Sequence, residues 1–262
     1  MNLIKNIKDV KNVVVFSGTS DSVDIIKILS KKGFNVIASV ATEEGAKMLS
    51  SVENITVSEG RLDTDDMIKL FDKYNTDIVV DGSHPYAENV SKTAICACKI
   101  YNIPYVRYER PSSFGVENCV FVDDYESAVD YIENISGNIL VTTGVNNIEK
   151  YTKLNDFKNR IFVRVLDNEK SFEKAKNIGL DEFRILKGNG IYTFDDNVNV
   201  IKKYNIKSVV TKDSGKIGGV DDKIKAAQYF NIPVVVIKRP VIEYGNVFDN
   251  IFDVVKFIEE GE

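Results

Sequence analysis

Short apolar runs alternate along this chain with longer stretches in which apolar residues recur every three or four positions. Asn12–Phe16 and Asn35–Val40 read as buried strands. Between them, Asp21–Lys32 sets Val23, Ile25, Ile26, Ile28 and Leu29 at helical spacing and stops at Gly33. Thr64–Tyr74 is predicted helical, with Thr64 as N-cap and Met67, Leu70 and Phe71 on one face. Asp77–Val80 (strand), Glu88–Tyr101 (helix) and Pro104–Tyr108 (strand) continue the rhythm. In the second half, Asn138–Val141, Ile161–Leu166, Phe183–Leu186, Ser208–Val210 and Pro233–Ile237 are strand-like. Ser171–Asn177, Asp221–Phe230 and Val247–Glu259 read as helices. Such alternation predicts α/β architecture with open parallel sheets covered by helices.

The two halves resemble each other. KYNTDIVVDGSHPY begins at Lys73 and KYNIKSVVTKDSGK at Lys203; NIPYVRYERP begins at Asn102 and NIPVVVIKRP at Asn231. VVFSG at Val14–Gly18 loosely matches LVTTG at Leu140–Gly144. The offset is too long for a solenoid and fits a duplicated α/β domain. Pro111–Val116, rich in Pro, Ser and Gly, is the best linker signal. The expected organisation is residues 1–113, then 114–240, then a C-terminal helix in 241–262 that folds back on the first domain.

Composition narrows the function classes. Of 262 residues 44% are hydrophobic, enough for a sizeable core, and the net charge is −5, which disfavours a general nucleic-acid binder. No apolar run has the length of a membrane span, and Met1–Lys11 lacks a signal-peptide core, so a cytoplasmic protein without a membrane partner is expected; a monomer is expected as well. Three cysteines (Cys96, Cys98, Cys119) and the single His84 give neither a disulfide framework nor metal-ligand spacing, so no metal is expected.

In open parallel sheets ligands bind at the carboxyl ends of the strands, and the glycines and polar residues gather there. The first half offers Ser17–Asp21, Asp81–Tyr86 and Glu109–Pro111; the second offers Thr142–Gly144, Thr211–Gly215 and Lys238–Pro240. Gly18-Thr19-Ser20 fits either a plain helix cap or a phosphate seat at a helix N-terminus. His84 before Pro85 is either a structural group or a ligand contact. Lys212–Gly219 is either a surface loop or an anion-binding backbone nest with cationic side chains. Arg110 and Arg239 occupy duplicated strand ends.

These loops, in this order, resemble the precorrin-6A reductase family of cobalamin biosynthesis. The matching segments include SGTSDS at Ser17–Ser22, SVATEEGAKML at Ser39–Leu49, GRLD at Gly60–Asp63 and DGSHPYAENVSKTAICAC at Asp81–Cys98. They continue with IPYVRYERP at Ile103–Pro111, TTG at Thr142–Gly144, GIYTFDDN at Gly190–Asn197, VTKDSGKIGGVDDKIKAA at Val210–Ala227 and IPVVVIKRP at Ile232–Pro240. Departures are Gly82, Ser83 and Tyr86 where the family pattern has Ala, Thr and Phe, and Ile191 where it has Pro.

The resemblance implies two Rossmann-like domains facing a central cleft, which holds a nicotinamide cofactor and a carboxylate-rich tetrapyrrole-derived macrocycle. The implied reaction is hydride transfer to a macrocycle double bond of (cobalt-)precorrin-6A followed by protonation of the neighbouring carbon. His84 and Tyr86 become the catalytic candidates. Gly18, Thr19, Ser20, Thr42, Glu43, Arg61, Ser83, Thr143 and Gly144 are expected at the cofactor. Arg110, Tyr192, Thr193, Lys212, Asp213, Ser214, Gly215, Gly218, Gly219 and Arg239 are expected at the substrate. Arg61, Arg107, Arg110, Lys212, Lys216 and Arg239 would supply a local positive field in an acidic protein. A non-catalytic nucleotide- or anion-binding module is the competing class; a short-chain reductase would need a Tyr-x-x-x-Lys pair that the chain lacks. For the cofactor, Glu43 lies 25 positions after Gly18, at the end of the second strand, where an acidic residue binds a ribose diol. With Lys47 as the first cation after it, this reading favours NADH over NADPH.

Overall fold

The structure, a computed structural model, describes residues 10–112, 119–190, 192–215 and 219–260. Among them run twelve strands: β1 (Asn12–Phe16), β2 (Asn35–Val40), β3 (Ile55–Glu59), β4 (Ile78–Asp81), β5 (Tyr105–Tyr108) and β6 (Cys119–Val122) come first. β7 (Asn138–Val141), β8 (Ile161–Val165), β9 (Ile185–Lys187), β10 (Ile206–Lys212), β11 (Val234–Ile237) and β12 (Asn246–Phe248) follow. The helices of the first half are α1 (Ser20–Lys31), α2 (Glu43–Met48), α3 (Thr64–Lys73) and α4 (Glu88–Tyr101). After these come α5 (Tyr125–Glu133), α6 (Phe157–Arg160), α7 (Glu169–Asn177), α8 (Phe194–Lys203), α9 (Val220–Tyr229) and α10 (Ile251–Glu260).

All strand pairings are parallel, and they build two sheets of six. The orders are β12-β5-β4-β1-β2-β3 and β6-β11-β10-β7-β8-β9. Position by position these are one topology used twice, each a Rossmann-like α/β sheet. The sequence repeat maps onto it: Asn75 and Asn205, which precede β4 and β10, both have φ 48°. Asn102 and Asn231, which precede β5 and β11, are left-handed too, at 59° and 51°. Asn tolerates this conformation better than most side chains.

Two compact units emerge, Met1–Arg110 with Pro240–Glu262, and Pro111–Arg239. The edge strands are exchanged along the chain. β6 follows β5 but pairs with β11, whereas β12 follows β11 but pairs with β5. Val247 therefore lies in a strand rather than in the helix expected over Val247–Glu259; that helix begins at Ile251. α10 packs beside α1, and Val254, Val255, Phe257 and Ile258 complete a core with Ile25, Ile26 and Leu29. The boundary expected at 113/114 falls outside the described residues.

Period-two alternation explains the layering. Along β1, Val13 and Val15 face the core under α1 and α10, while Val14 and Phe16 face the core under α3 and α4. A strand buried on both faces has no polar face to show, which is why NVVVF reads as a continuous apolar run. Helix starts are set by short polar side chains. Thr19 caps α1 in a reciprocal box with Ser22, and Asp63, one residue before the expected Thr64, caps α3. No helix among the described residues is long and apolar enough to cross a membrane.

Candidate functional site

In the first unit the loop after β1 is shaped by one hydroxyl. Ser22 Oγ accepts from the amides of Gly18 (3.2 Å) and Thr19 (3.1 Å), which folds the loop over the start of α1. Thr19 is buried, and its hydroxyl donates to the Gly82 carbonyl at 2.9 Å, fastening this loop to the one after β4. Gly18 and Ser20, by contrast, are exposed. A β-carbon built on Gly18 meets nothing within 4 Å, so the loop is open to a ligand on that side. A β-carbon on Gly82 would lie 2.7 Å from Ser22 Cβ, so the close approach of the two loops requires glycine there.

The loop after β4 is held from below. Asp81 Oδ1 accepts from the Ser83 amide (3.0 Å) and Arg107 Nη1 (2.8 Å); Oδ2 accepts from the hydroxyls of Ser91 and Tyr105, both at 2.6 Å. Burial alone would raise the carboxyl pKa. The Arg107 charge and these hydrogen bonds outweigh it and hold the group below its ordinary value. Arg107 is fully buried and also pairs with Glu109 at 2.8 Å. It is thus not the open source of positive field expected from sequence: β5 points it inward, under Ser83, whose Oγ it reaches at 3.1 Å.

Above this network His84 and Tyr86 are half-buried, with ring centroids 5.8 Å apart. The Tyr86 amide donates to His84 Nδ1 at 3.2 Å. With Nδ1 accepting, the neutral ring carries its proton on Nε2, which makes that atom the donor.

At the next strand ends, exposed Thr42 caps α2, and exposed Glu43 pairs with Lys47 at 2.7 Å. Glu59 pairs in register with Val40, and the Gly60 amide donates to the Val40 carbonyl at 2.9 Å. Exposed Arg61 therefore follows a strand end adjacent to the one Glu43 follows, a relation invisible in sequence, where Lys47 is the nearer cation. Arg110, expected at a substrate carboxylate, is buried, and its Nε is bound to Asp21 in the first turn of α1.

In the second unit, Thr143 is buried with its hydroxyl 3.2 Å from Tyr151 Oη, and Gly144 is left-handed (φ 75°) with nothing within 4 Å of a built β-carbon. Lys212 ends β10, half-buried, with Nζ 5.8 Å from the Tyr125 ring centre; burial pushes its pKa down to about 8. Asp213 is buried and accepts from Ser112 Oγ, and its carbonyl accepts from Arg239 Nε at 2.8 Å. Arg239 also reaches the Pro111 carbonyl at 3.2 Å. The duplicated arginines are thus each bound to an aspartate of their own unit. The Ser214 amide turns back to the Lys212 carbonyl, and Gly215 and Gly219 are left-handed at φ 72° and 68°. Lys216 and Gly218 lie outside the described residues. Thr193 caps α8 in a box with Asp196, and the Tyr192 ring covers Arg164, 3.7 Å from its guanidinium carbon.

Asp81, Tyr105, Arg164 and Lys223 carry structural or electrostatic weight that sequence reasoning missed. Arg164 did leave a signal, a charged residue inside the apolar run IFVRV of β8. Among the described residues no three His, Cys, Asp or Glu side chains gather as a metal site.

Residues 12–259 match the family described as Precorrin-6x reductase CbiJ/CobK. A cobalt-precorrin-6A reductase from Priestia megaterium is 35% identical over 248 residues, covering 93% of this chain and 96% of that one. One from Methanocaldococcus jannaschii is 32% identical, covering 94% and 98%. The solved structure of CobK precorrin-6A reductase shares the fold with a TM-score of 0.78 at 17% identity, covering 95% of this chain and 96% of its own. By these matches the chain belongs to the precorrin-6x reductase CbiJ/CobK family and is an oxidoreductase.

Proposed function

We propose that this protein reduces one ring double bond of cobalt-precorrin-6A to give cobalt-precorrin-6B, in cobalamin biosynthesis, using a reduced nicotinamide. The observation that carries the reading is the match of nearly the whole chain to relatives bearing that name. When bound, the nicotinamide supplies the hydride.

The residues fit such a cofactor. Gly18 leaves open space where a β-carbon would stand, and the first-turn amides of α1 lack intrahelical acceptors, as in any helix. We assign the dinucleotide phosphates to Gly18 and Ser20, with Thr19 shaping the loop rather than touching the ligand. Thr42, Glu43 and Arg61 would take the adenosine end. Arg61, after the strand end adjacent to the one Glu43 follows, supplies the cation that a 2′-phosphate needs, and Glu43 is already engaged by Lys47. This favours NADPH over the NADH expected from Glu43 alone.

Ser83, His84 and Tyr86 line the reacting end, where His84, once protonated to the imidazolium, can give its Nε2 proton to the carbon next to the one reduced and return to the neutral ring. Thr143, Gly144, Tyr192, Thr193 and the Lys212–Gly219 loop bind the macrocycle, Lys212 providing positive charge for its carboxylates. Arg110, Asp213 and Arg239 hold the loops that present these groups. We further assign the enzyme to the cytoplasm as a monomer, which light scattering of the purified chain tests.

Steady-state kinetics on cobalt-precorrin-6A with each cofactor test the assignment. NADPH should give the higher kcat/KM, and Arg61→Ala should erase the difference. A preference for NADH that survives Arg61→Ala would reverse it.

A further inference from the structure

Arg164 sits near the carboxyl end of β8, and at the matching register of the first sheet stands the small Ser39. The arginine is buried, at 8% exposure. Its Nη1 donates to Asn197 Oδ1 at 2.9 Å. Its Nε and Nη2 find no hydrogen-bond partner among the described residues. Those two atoms form one edge of the guanidinium plane, the edge that grips a carboxylate through two parallel hydrogen bonds. Unsatisfied buried donors are costly, about 1–3 kcal/mol for a typical group, so a retained pair of them on one edge calls for an acceptor from outside.

Among the described residues no anion is bonded to that edge: Glu182, which lines the same cavity, is paired with Lys176 at 2.8 Å. Asp196, the acid acting on Arg164 through space, is engaged with the Thr193 amide (2.9 Å) and hydroxyl (2.8 Å). A second cation acts here: Lys223 on α9 feels Arg164 as a like charge, which Asp222 offsets only in part. Burial lowers Arg164 to about 10, and burial together with Arg164 lowers Lys223 to about 8; a bound anion would relieve both. Arg164 lines an open cavity of about 400 Å³ with Phe183, Lys187, Tyr192, Val200 and Tyr204.

The cover over Arg164 is light. The Tyr192 ring lies on the guanidinium and is tied by one long hydrogen bond, Tyr192 Oη to the Lys187 carbonyl at 3.4 Å. Glycine at 188 leaves room for it: a β-carbon there would overlap Tyr192 Oη and displace the ring.

We propose that the Nε/Nη2 edge of Arg164, aided by Lys223, is a carboxylate-binding site for the acidic rim of a tetrapyrrole-type macrocycle, reached when Tyr192 swings aside. The choice of macrocycle rests on the proposed function; the carboxylate chemistry does not.

Uroporphyrin, a stable tetrapyrrole with acetate and propionate groups around its rim, is the probe. Its affinity is measured by absorbance titration for wild type, Arg164→Gln, Arg164→Lys and Lys223→Gln, each checked for folding by circular dichroism. Arg164→Gln should bind at least about tenfold more weakly. Arg164→Lys, which keeps the charge without the fork, should also lose severalfold, and Lys223→Gln a smaller factor. Lys223, half-buried on a helix, keeps the test decisive should the Arg164 variants fail to fold. Wild-type affinity in all folded variants, or no binding by wild type, overturns the site. Free citrate or inorganic phosphate binding as tightly as uroporphyrin overturns the macrocycle as its source. Turnover of cobalt-precorrin-6A is followed in parallel: macrocycle binding without turnover contradicts the reductase reading alone, and turnover with unaltered uroporphyrin affinity in the variants contradicts the site alone.

Discussion

Thr19 donates its hydroxyl to the Gly82 carbonyl at 2.9 Å, and this bond joins the loop after β1 to the loop after β4. Its oxygen also accepts from the Ser22 amide at 3.1 Å, so one side chain caps α1 and sets the spacing of two strand ends. Thr19→Val should cost about 1–2 kcal/mol through the lost cap and tie. It should also raise the KM for the nicotinamide, whereas Thr19→Ser should preserve both. Denaturant melts beside cofactor titrations separate the two effects; a Val variant with unchanged stability and unchanged KM would remove Thr19 from the account.

Two glycines of the same loops should respond in opposite ways. Gly82→Ala puts a methyl group 2.7 Å from Ser22 Cβ and should destabilise the unit by about 1–3 kcal/mol. Gly18→Ala meets nothing within 4 Å and should leave the melt unaltered while weakening cofactor binding. Calorimetry showing native cofactor affinity in folded Gly18→Ala would count against the phosphate seat.

The buried Asp81–Arg107 pair predicts acid lability. The Asp81 pKa is held below its unfolded value, so the pair contributes its full stability above the ordinary carboxylate range and loses it as pH falls through the depressed folded value. Asp81→Asn removes the charge that Arg107 meets at Nη1, leaving Glu109 as its paired carboxylate, and should cost about 3 kcal/mol at neutral pH. It should also flatten the fall of stability towards acid. An Asn variant that loses stability on acidification as steeply as wild type would assign the lability elsewhere.

Lys212 predicts a signature at the alkaline side. With a folded pKa of about 8 against 10.5 unfolded, the unfolded chain binds more protons between those values, so this residue's share of stability rises with pH across that window. Anion affinity runs the other way: the charge is present below about pH 8 and is lost above it. Lys212→Met should weaken macrocycle binding at neutral pH and flatten its decline between pH 7 and about 9. The same alkaline decline in wild type and Lys212→Met would place the titrating group elsewhere.

The strands that form the interior of both sheets were legible because burial on both faces leaves uninterrupted apolar runs: β1, β2 and β7 match their expected ranges. The missed strands lie at edges. β3 is ITVSE and only half-buried, β6 has four residues, and β12 has three, two of them exposed. Their patterns resemble loops because half of each strand meets no core. The exchange of β6 and β12 could not be read at all, since it concerns which sheet a short strand joins. At the site, loop positions were legible from Gly and polar residues at strand ends. Side-chain direction was not: Arg107 and Arg110 look like surface cations in YVRYERP, yet both turn inward to carboxylates. Arg61 and Glu43 follow adjacent strand ends only through the register of β2 with β3.

The proposed reaction is hydride transfer from a nicotinamide to the precorrin-6A macrocycle. Its most direct test is anaerobic incubation of the purified protein with cobalt-precorrin-6A and NADPH deuterated at the transferable position of the ring, with mass spectrometry of the product. The account predicts catalytic conversion to cobalt-precorrin-6B carrying a single deuterium, with equimolar oxidation of the cofactor. Unchanged macrocycle, or a reduced product without the label, would contradict it.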